Sequence, residues 1–481
     1  MPSHLDLIKT DACTLVDELR RGRVTPHDLL DALEARIAEV DRKVNALPTL
    51  CFPRAREHAD RLMKLPAGER GPLAGLPVPI KDLIAVKGVR TTQGSPIYAD
   101  QVPARSDIVV ERLEANGAIV YAKSNTPEFG AGANTFNEVF GATLNPWDLS
   151  RSAAGSSGGA AAAIASGTAW VAHGSDMGGS LRNPASFCGI VGLRPSVGRV
   201  ARTPSAKIDR TLGVQGPMAR NVDDLALLLD AMTGEHPGDP LSLPPPARPF
   251  RETMRSSPRP RRVAYSATLG ITPVDPEVAR ITRAVAERLA KEGIVVEEAH
   301  PDLSQAHDCF QVLRAYDFVM SKAALLRTKR DLLKPEIIWN IEEGLKLTIA
   351  DLERAEAQRL AMAARMLAFF ETYDLLLTPA TIVAAFPIGE RYLAECAGVK
   401  FGNYVEWLAI AYAVTLACCP ALSLPCGFTA QGLPVGLQIV APPRAEARIL
   451  GAAKLLEDML GVRDSTPIAP RADAARQSKT A

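Results

Sequence analysis

Residues 154–159 read Ala-Gly-Ser-Ser-Gly-Gly, and after an alanine-rich run residues 176–182 read Asp-Met-Gly-Gly-Ser-Leu-Arg. Both stretches place a serine, Ser156 and Ser180, in a glycine-rich turn. Upstream, Lys81 follows the apolar residues 76–80. A serine hydroxyl is a weak nucleophile that needs a nearby base, and a second hydroxyl can relay its proton. The two serines and the lysine together therefore predict a hydrolase that acts on amide bonds.

Lys81 is the candidate base. A lysine amine accepts a proton only when it is neutral, and burial in an apolar environment lowers its pKa toward that state. The sequence Leu-Pro-Val-Pro-Ile before Lys81 is typical of a buried strand that ends in a turn. We therefore expect Lys81 to be buried with a lowered pKa.

The glycines beside Ser180 indicate an oxyanion hole. Small residues leave the backbone N–H groups of Met177, Gly178, Gly179 and Ser180 free to point at one spot. Preorganised donors of this kind stabilise the negative charge that develops on a carbonyl oxygen during acyl transfer. All four N–H groups are predicted to take part.

The chain resembles the amidase signature family. The resemblance covers roughly residues 5–460, and its motifs are Gly75–Asp82, Lys123–Phe129, Gly155–Gly159, Asp176–Pro195, Leu424–Gly427 and Gly432–Gln438. It implies that Ser180 is the acyl-forming nucleophile, Lys81 the base and Ser156 the relay between them. It also implies a cis peptide bond between Gly155 and Ser156.

The same resemblance implies an α/β fold with a mixed central β-sheet covered by helices on both faces. We expect a single domain over residues 1–462, followed by a disordered tail over 463–481. Within the domain we expect N-terminal helices over 5–70 and a signature core over 71–235. An exposed connection over 236–262, rich in proline, leads to a helical, variable substrate region and a C-terminal core over 263–462.

Hydrophobic periodicity predicts individual elements. Two amphipathic patterns, Ala12–Arg20 and Leu29–Val44, indicate helices separated at Gly22, and Thr25-Pro26 is typical of a helix start. Residues 304–372 have a mostly helical pattern. The apolar run Leu408–Leu424 contains Pro420 and is shorter than a bilayer span, which favours core packing.

The resemblance also indicates where a substrate binds. We expect Asn125, Thr126, Pro127, Phe129 and Gly130 to line the acyl pocket, together with the variable helical region. Apolar residues in that region, including Phe310, Tyr316, Phe318 and Trp339, fit either a hydrophobic or aryl substrate or simple helix packing. Arg182 is interpreted as a structural ion-pair partner rather than a ligand for a substrate carboxylate, and His173 as a packed core histidine.

Other serine and lysine motifs fit the sequence poorly. Ser157 satisfies the G-x-S-x-G pattern of α/β-hydrolases, but no histidine follows His307 to complete such a triad. The chain contains no S-x-x-K, and the residues after Gly155 lack the Lys-Ser/Thr pair of a phosphate-binding loop. Scattered histidines and cysteines give no ligand spacing, so neither a metal nor a cofactor is predicted.

Composition limits the classes of molecule that the protein is expected to bind. A net charge of +1 gives no reason to expect nucleic acid or an anionic membrane. The N-terminal sequence lacks a secretory signal, and a cytoplasmic location with reduced cysteines is expected. The predicted ligand is a small-molecule amide, and a homodimer is a common arrangement among similar enzymes. Two functions stay open: a stand-alone amidase, active also on aryl esters or carbamates, and the glutamine-hydrolysing A subunit of an aminoacyl-tRNA amidotransferase complex.

Overall fold

The computed structural model describes residues 3–204 and 207–472. The helices, labelled α1 to α15 in chain order, span His4–Lys9, Ala12–Arg20, Pro26–Val44, Phe52–Met63, Ile108–Ala115, Gly158–Ser166, Arg182–Cys188, Val222–Met232, Phe250–Thr253, Pro276–Lys291, Ala306–Lys329, Pro335–Leu345, Ile349–Thr372, Ala409–Leu416 and Glu446–Leu460. The strands, labelled β1 to β17, span Thr49–Leu50, Pro77–Lys81, Ile119–Ser124, Phe136–Asn137, Gly141–Ala142, Leu144–Asn145, Asp148–Ser152, Val171–Asp176, Val191–Arg194, Val214–Ala219, Arg262–Tyr265, Val295–Glu298, Leu375–Pro379, Glu395–Cys396, Val399–Lys400, Ala421–Phe428 and Pro434–Val440.

An eight-stranded sheet forms the centre of the molecule, in the order β12-β11-β13-β17-β16-β9-β10-β8. Strand β11 pairs in parallel with β12 and β13, and the remaining pairs are antiparallel. The predicted mixed sheet is therefore confirmed. One sheet draws strands from both the predicted signature core and the predicted C-terminal core.

Helices cover both faces of this sheet, as predicted. On β17, Gln438 accepts a hydrogen bond from Arg182 of α7. Residue Ile439 faces the other side, because neighbouring residues in a strand alternate between faces. Ile439 pairs with Leu377 of β13, and Leu377 pairs with Tyr265 of β11, so the three side chains lie on the same face. The Tyr265 hydroxyl bonds Thr282 of α10. Helices α7 and α10 therefore lie on opposite faces.

A second, three-stranded sheet has the order β1-β3-β2. Its strand β2 lies beside β8 at the edge of the central sheet. Every residue of β2 is buried, and Lys81 is its last residue. Strand β8 ends at Asp176, shortly before Ser180. The packing of β2 against β8 therefore brings Lys81 close to the predicted serine motif.

The N-terminal helices match the amphipathic patterns closely. Helix α2 spans Ala12–Arg20, and α3 begins at Pro26 with Thr25 as its N-cap. The Thr25 hydroxyl and the Asp28 carboxylate form a reciprocal capping box. Asp28 also lies in the first turn, where a negative charge stabilises the helix.

Two segments were expected to lie outside the packed core, the connection over 236–262 and the tail over 463–481. The connection over 236–262 lies mostly at the surface, anchored by the buried side chains of Asp239, Phe250 and Met254. The prediction of disorder is wrong for residues 463–472, because Ile468 N–H bonds the Ala165 carbonyl at 2.8 Å and the Arg471 carbonyl accepts from Leu149. Residues 473–481 lie outside the described residues.

Within the part of the chain that the structure describes, every helix is too short or too polar to cross a membrane. The apolar run predicted to be core divides into α14 and β16. Residues 409–416 and 421–426 are buried there, which confirms that prediction.

Candidate active site

Lys81 lies fully buried among three hydroxyl groups. Its Nζ is 2.7 Å from Ser156 Oγ, 2.8 Å from Ser157 Oγ and 3.1 Å from Ser175 Oγ. In the described parts of the chain, no carboxylate lies within ion-pair distance of this amine. Burial lowers the pKa of Lys81 to about 7, although the negative charge of Asp176 acts to raise it. Near neutral pH a large share of the amine is therefore neutral and able to accept a proton.

Ser156 lies in the turn before α6, and the peptide bond that precedes it is cis, as the resemblance implies. The two residues that follow Ser157 have no room for a side chain. A Cβ atom at Gly158 would lie 2.4 Å from Thr135 Oγ1, and one at Gly159 would lie 2.3 Å from the Asn125 nitrogen. The close packing of these glycines fixes the turn and directs the Ser156 hydroxyl to Lys81.

Asp176 organises the turn that carries Ser180, between β8 and α7. Its carboxylate accepts the backbone N–H groups of Gly179 at 3.1 Å and Leu181 at 3.0 Å. Arg182 binds both carboxylate oxygens, and Arg194 lies 3.3 Å away. Burial alone would raise the pKa of Asp176, but the charges and hydrogen bonds of these two arginines hold it well below its usual range. Arg182 is thus a buried structural ion-pair partner, as interpreted from the sequence.

The predicted oxyanion hole needs one correction. The Gly179 N–H donates to Asp176, so it is not directed at a ligand. Among the described residues, the N–H groups of Met177, Gly178 and Ser180 have no acceptor. Three donors, rather than four, therefore remain available at this turn.

A cavity of about 590 Å³ opens over both serines. Ser180 is half-buried in its wall, and within the described residues its hydroxyl has no hydrogen-bond partner. The carbonyl of Ser180 accepts from Ser157 N–H at 3.3 Å, which joins the two serine turns. Apolar side chains contribute to the wall: Leu83, Ile84, Phe129, Met177, Phe310, Phe318 and Leu408.

Only part of the predicted substrate-binding segment lies at the cavity. Phe129 and Gly130 line the cavity, and a Cβ atom at Gly130 would lie 3.4 Å from Ser156 Oγ. Asn125, Thr126 and Pro127 do not line it. The Asn125 side-chain amide donates to Thr143 Oγ1 at 3.0 Å, and the Asn125 backbone carbonyl accepts from the Gly159 N–H at the start of α6. Asn125 therefore supports the serine turn from behind, and none of the three residues faces the cavity.

The sequence prediction did not include Ser157 or Ser175 among the catalytic residues, although both bond the Lys81 amine. Their positions in the sequence, next to Ser156 and Asp176, could have indicated that they lie near the Lys81 amine. In the variable region, Phe310 and Phe318 line the cavity, whereas Tyr316 and Trp339 do not. Phe310 also stacks on Tyr412, with ring centroids 4.2 Å apart, so it belongs both to the cavity wall and to helix packing.

Two other polar groups have structural explanations. His173 is fully buried, and burial lowers its pKa to about 3, which agrees with a packed neutral histidine. Asp11, Cys13 and Asp224 lie close enough together to suggest metal ligands. However, Asp224 accepts the N–H groups of Ala12 and Cys13, both at 2.9 Å, and so caps α2.

The sequence and the fold are similar to those of several known proteins. A family model described as Amidase matches residues 28–450. The chain is 36% identical to the A subunit of a glutamyl-tRNA(Gln) amidotransferase from Moorella thermoacetica, over 94% of this chain and 97% of that one. It is 34% identical to an acylamidase of Rhodococcus erythropolis, over 95% and 96% of the two chains. The structure of a 6-aminohexanoate cyclic dimer hydrolase matches 97% of this chain and 99% of its own, with a TM-score of 0.86 and 29% identity.

Proposed function

Because the chain belongs to the amidase signature family, a family of hydrolases, we propose that it is a stand-alone amidase that converts small carboxylic amides to an acid and an amine. The observation that carries the proposal is the buried Lys81 amine, 2.7 Å from Ser156 and without a counter-ion among the described residues. Such an amine serves as a base near neutral pH. It lies directly behind the cavity to which Ser180 contributes.

In the proposed acylation step, Ser180 Oγ attacks the carbonyl carbon of the amide. Its proton passes to Ser156 Oγ while the proton of Ser156 passes to Lys81 Nζ. The N–H groups of Met177, Gly178 and Ser180 donate to the oxyanion that forms. The C–N bond then breaks, and the leaving nitrogen takes a proton from Ser156, which Lys81 restores.

In the proposed deacylation step, a water molecule gives a proton through the same two groups and attacks the ester carbon. The bond between the acyl carbon and Ser180 Oγ breaks, and the serine oxygen recovers a proton from Ser156. The carboxylic acid leaves, and Lys81 returns to its neutral form. An aryl ester would form the same acyl-enzyme and release a phenol, whereas an aryl carbamate would release a phenol and leave a carbamoyl group on Ser180 Oγ.

The alternative function is that of a glutamine-hydrolysing A subunit in an amidotransferase complex. The 36% identity to such a protein, over nearly the whole length of both chains, favours it. The stand-alone function is favoured by a similar match to an acylamidase and by the TM-score of 0.86 with a cyclic-dimer hydrolase. The apolar side chains of Phe310, Phe318 and Leu408 in the cavity wall also suit a substrate less polar than glutamine.

An activity screen distinguishes the two functions. Wild-type protein and Ser180→Ala would be assayed on glutamine, aliphatic amides, anilides, aryl esters and carbamates. We expect wild-type turnover of anilides or other apolar amides that Ser180→Ala lacks. Full turnover by Ser180→Ala would contradict the proposed nucleophile. Turnover of glutamine alone, with partner chains co-eluting in gel filtration from the native host, would support the amidotransferase function.

A further inference from the structure

We propose that the cavity selects amides that carry an anionic group away from the scissile bond, and that Lys322 binds this group. The proposal rests on the proposed amidase function, which it narrows to a class of substrates. Lys322 lies on α11 and lines the cavity that contains Ser156 and Ser180.

Lys322 is a half-buried cation without an anionic partner. Its Nζ lies 4.3 Å from the centroid of the Phe129 ring. In residues 3–204 and 207–472, no carboxylate lies within 4 Å of this nitrogen and no acceptor takes a hydrogen bond from it. Burial lowers the pKa of Lys322 to about 8, so the amine is mainly protonated at pH 7. Its three N–H donors are therefore available to a ligand.

The surrounding wall has more positive than negative charge. Asp317 is shared by Lys207, at 3.3 Å, and Arg210, at 3.5 Å. The Arg314 guanidinium bonds the neutral side chains of Asn340 and Tyr404. Among the described residues that line the cavity, five are cations and four are carboxylates.

The other acidic groups near this wall already have partners: Asp176 is paired with Arg182, and Asp107 accepts the Val109 N–H at 3.2 Å. Glu128 accepts hydrogen bonds from Ser95 Oγ and from the Lys334 backbone N–H. Asp239 accepts the backbone N–H of Arg202 at 3.0 Å. The charge of Glu128 favours the protonated form of Lys322, but neither carboxylate lies within ion-pair distance of its Nζ, so a ligand anion would bind there without displacing an existing ion pair.

The lysine is close enough to the reacting groups to act on the same substrate. The Phe129 ring contacts Lys322, while the next residue, Gly130, lies against Ser156 Oγ. Apolar side chains of Met177, Phe310 and Phe318 line the same cavity. A ligand with an apolar body and one anionic end therefore matches the wall, since pockets commonly use few charged groups to orient a mostly apolar ligand.

Binding to the Ser180→Ala protein tests the proposal without requiring turnover. Titration calorimetry would compare two amide acids with their methyl esters. Glutaranilic acid carries its carboxylate on the acyl side of the amide, and 4-acetamidobenzoic acid carries it on the amine side. We expect at least one acid to bind roughly 10- to 100-fold more tightly than its ester, as hydrogen bonds to charged groups contribute.

The second variant in this background is Lys322→Met, which keeps the length of the side chain and removes its charge. We expect it to abolish the preference for the acid and to leave binding of the ester within about twofold. Lys329→Met is the matched control, because Lys329 is exposed on the same helix. It should retain the preference. Thermal unfolding of each variant would establish that it is folded.

The outcomes separate this proposal from the proposed function. Equal binding of acid and ester in both pairs, or a preference that survives in folded Lys322→Met, would overturn the proposal. If the preference depends on Lys322 but wild-type protein hydrolyses none of these amides and none of the substrates in the activity screen, the anion site stands and the amidase function fails. Hydrolysis of neutral anilides without any preference for acids would leave the amidase function intact and reject the anion site.

Discussion

Lys81 is an amine surrounded by hydroxyl groups at the end of a strand whose every residue is buried. This position makes its protonation state the main chemical variable of the site. Because burial lowers the pKa of Lys81 to about 7, the neutral, proton-accepting form increases as the pH rises through that value. For a neutral amide substrate, we expect kcat/KM to rise about tenfold per pH unit below pH 7 and to level off above it. A profile that is flat from pH 6 to 9, or that falls through pH 7, would contradict the assignment of Lys81 as base.

Ser156 makes the shortest of the three hydrogen bonds to Lys81, and Ser175 makes the longest. If Ser156 relays the proton, Ser156→Ala should lower kcat by about 10²- to 10⁴-fold, the usual contribution of general acid–base catalysis. Ser175→Ala removes a neighbour of the same amine that lies outside the proposed relay, and a loss below about tenfold is expected. Steady-state kinetics on one anilide would compare them. Equal losses in the two variants would argue that the hydroxyls act as a unit and that Ser156 has no special role.

At the level of single residues, sequence motifs predicted that Lys81 is buried and that it meets the turn of Ser156. The motifs did not predict roles that depend on the direction in which a side chain or an N–H group points. Asn125 and Phe129 belong to the same motif, yet Asn125 bonds the start of α6 and Phe129 lines the cavity. The Gly179 N–H likewise differs from its neighbours, because the Asp176 carboxylate reaches it first. A linear pattern does not specify these directions.

The loop between β8 and α7 depends on a buried ion pair for its shape. Asp176 binds Arg182 with both oxygens and also accepts two backbone N–H groups of the loop. We expect Asp176→Asn to lower the free energy of unfolding by about 3–5 kcal/mol, because it leaves the buried Arg182 charge without its partner. Urea denaturation followed by circular dichroism would measure this difference.

Asp308→Asn is the matched control for that experiment. Asp308 pairs with Arg354 through side chains that are both exposed. Exposed pairs contribute about 0–1 kcal/mol, so this variant should differ little from wild type. If Asp176→Asn were no less stable than Asp308→Asn, the ion pair would not be what holds the loop.

At the level of elements, helix patterns with clear caps were predicted well. The pattern Ala12–Arg20 coincides with α2, and the Thr25-Pro26 start coincides with α3. The segment 463–472 was predicted wrongly because its polar composition resembles a free terminus. Its order depends on distant backbone partners, such as the carbonyl of Ala165, which local sequence does not reveal.

For the whole molecule, the class of the fold followed from the resemblance, whereas the strand order did not follow from local patterns. Strand β13 lies between β11 and β17, which are far from each other in sequence. Alternating apolar residues predict that a strand exists and which face is buried, but they do not select its neighbours. The same strand order puts β8 and β17 into one sheet. The Ser180 loop is thereby tied to β17, because Arg182 bonds Gln438.

The central claim is that Ser180 forms a covalent acyl-enzyme at the junction of the two serine turns. The most direct test is to react the protein with an aryl carbamate, whose carbamoyl-enzyme hydrolyses slowly, and to locate the added mass by peptide mass spectrometry. We expect one carbamoyl group per chain on the peptide that contains Ser180, with loss of activity in proportion, and no addition to Ser180→Ala. A label on Ser156 or Ser157, or labelling of Ser180→Ala with the same yield, would contradict the claim.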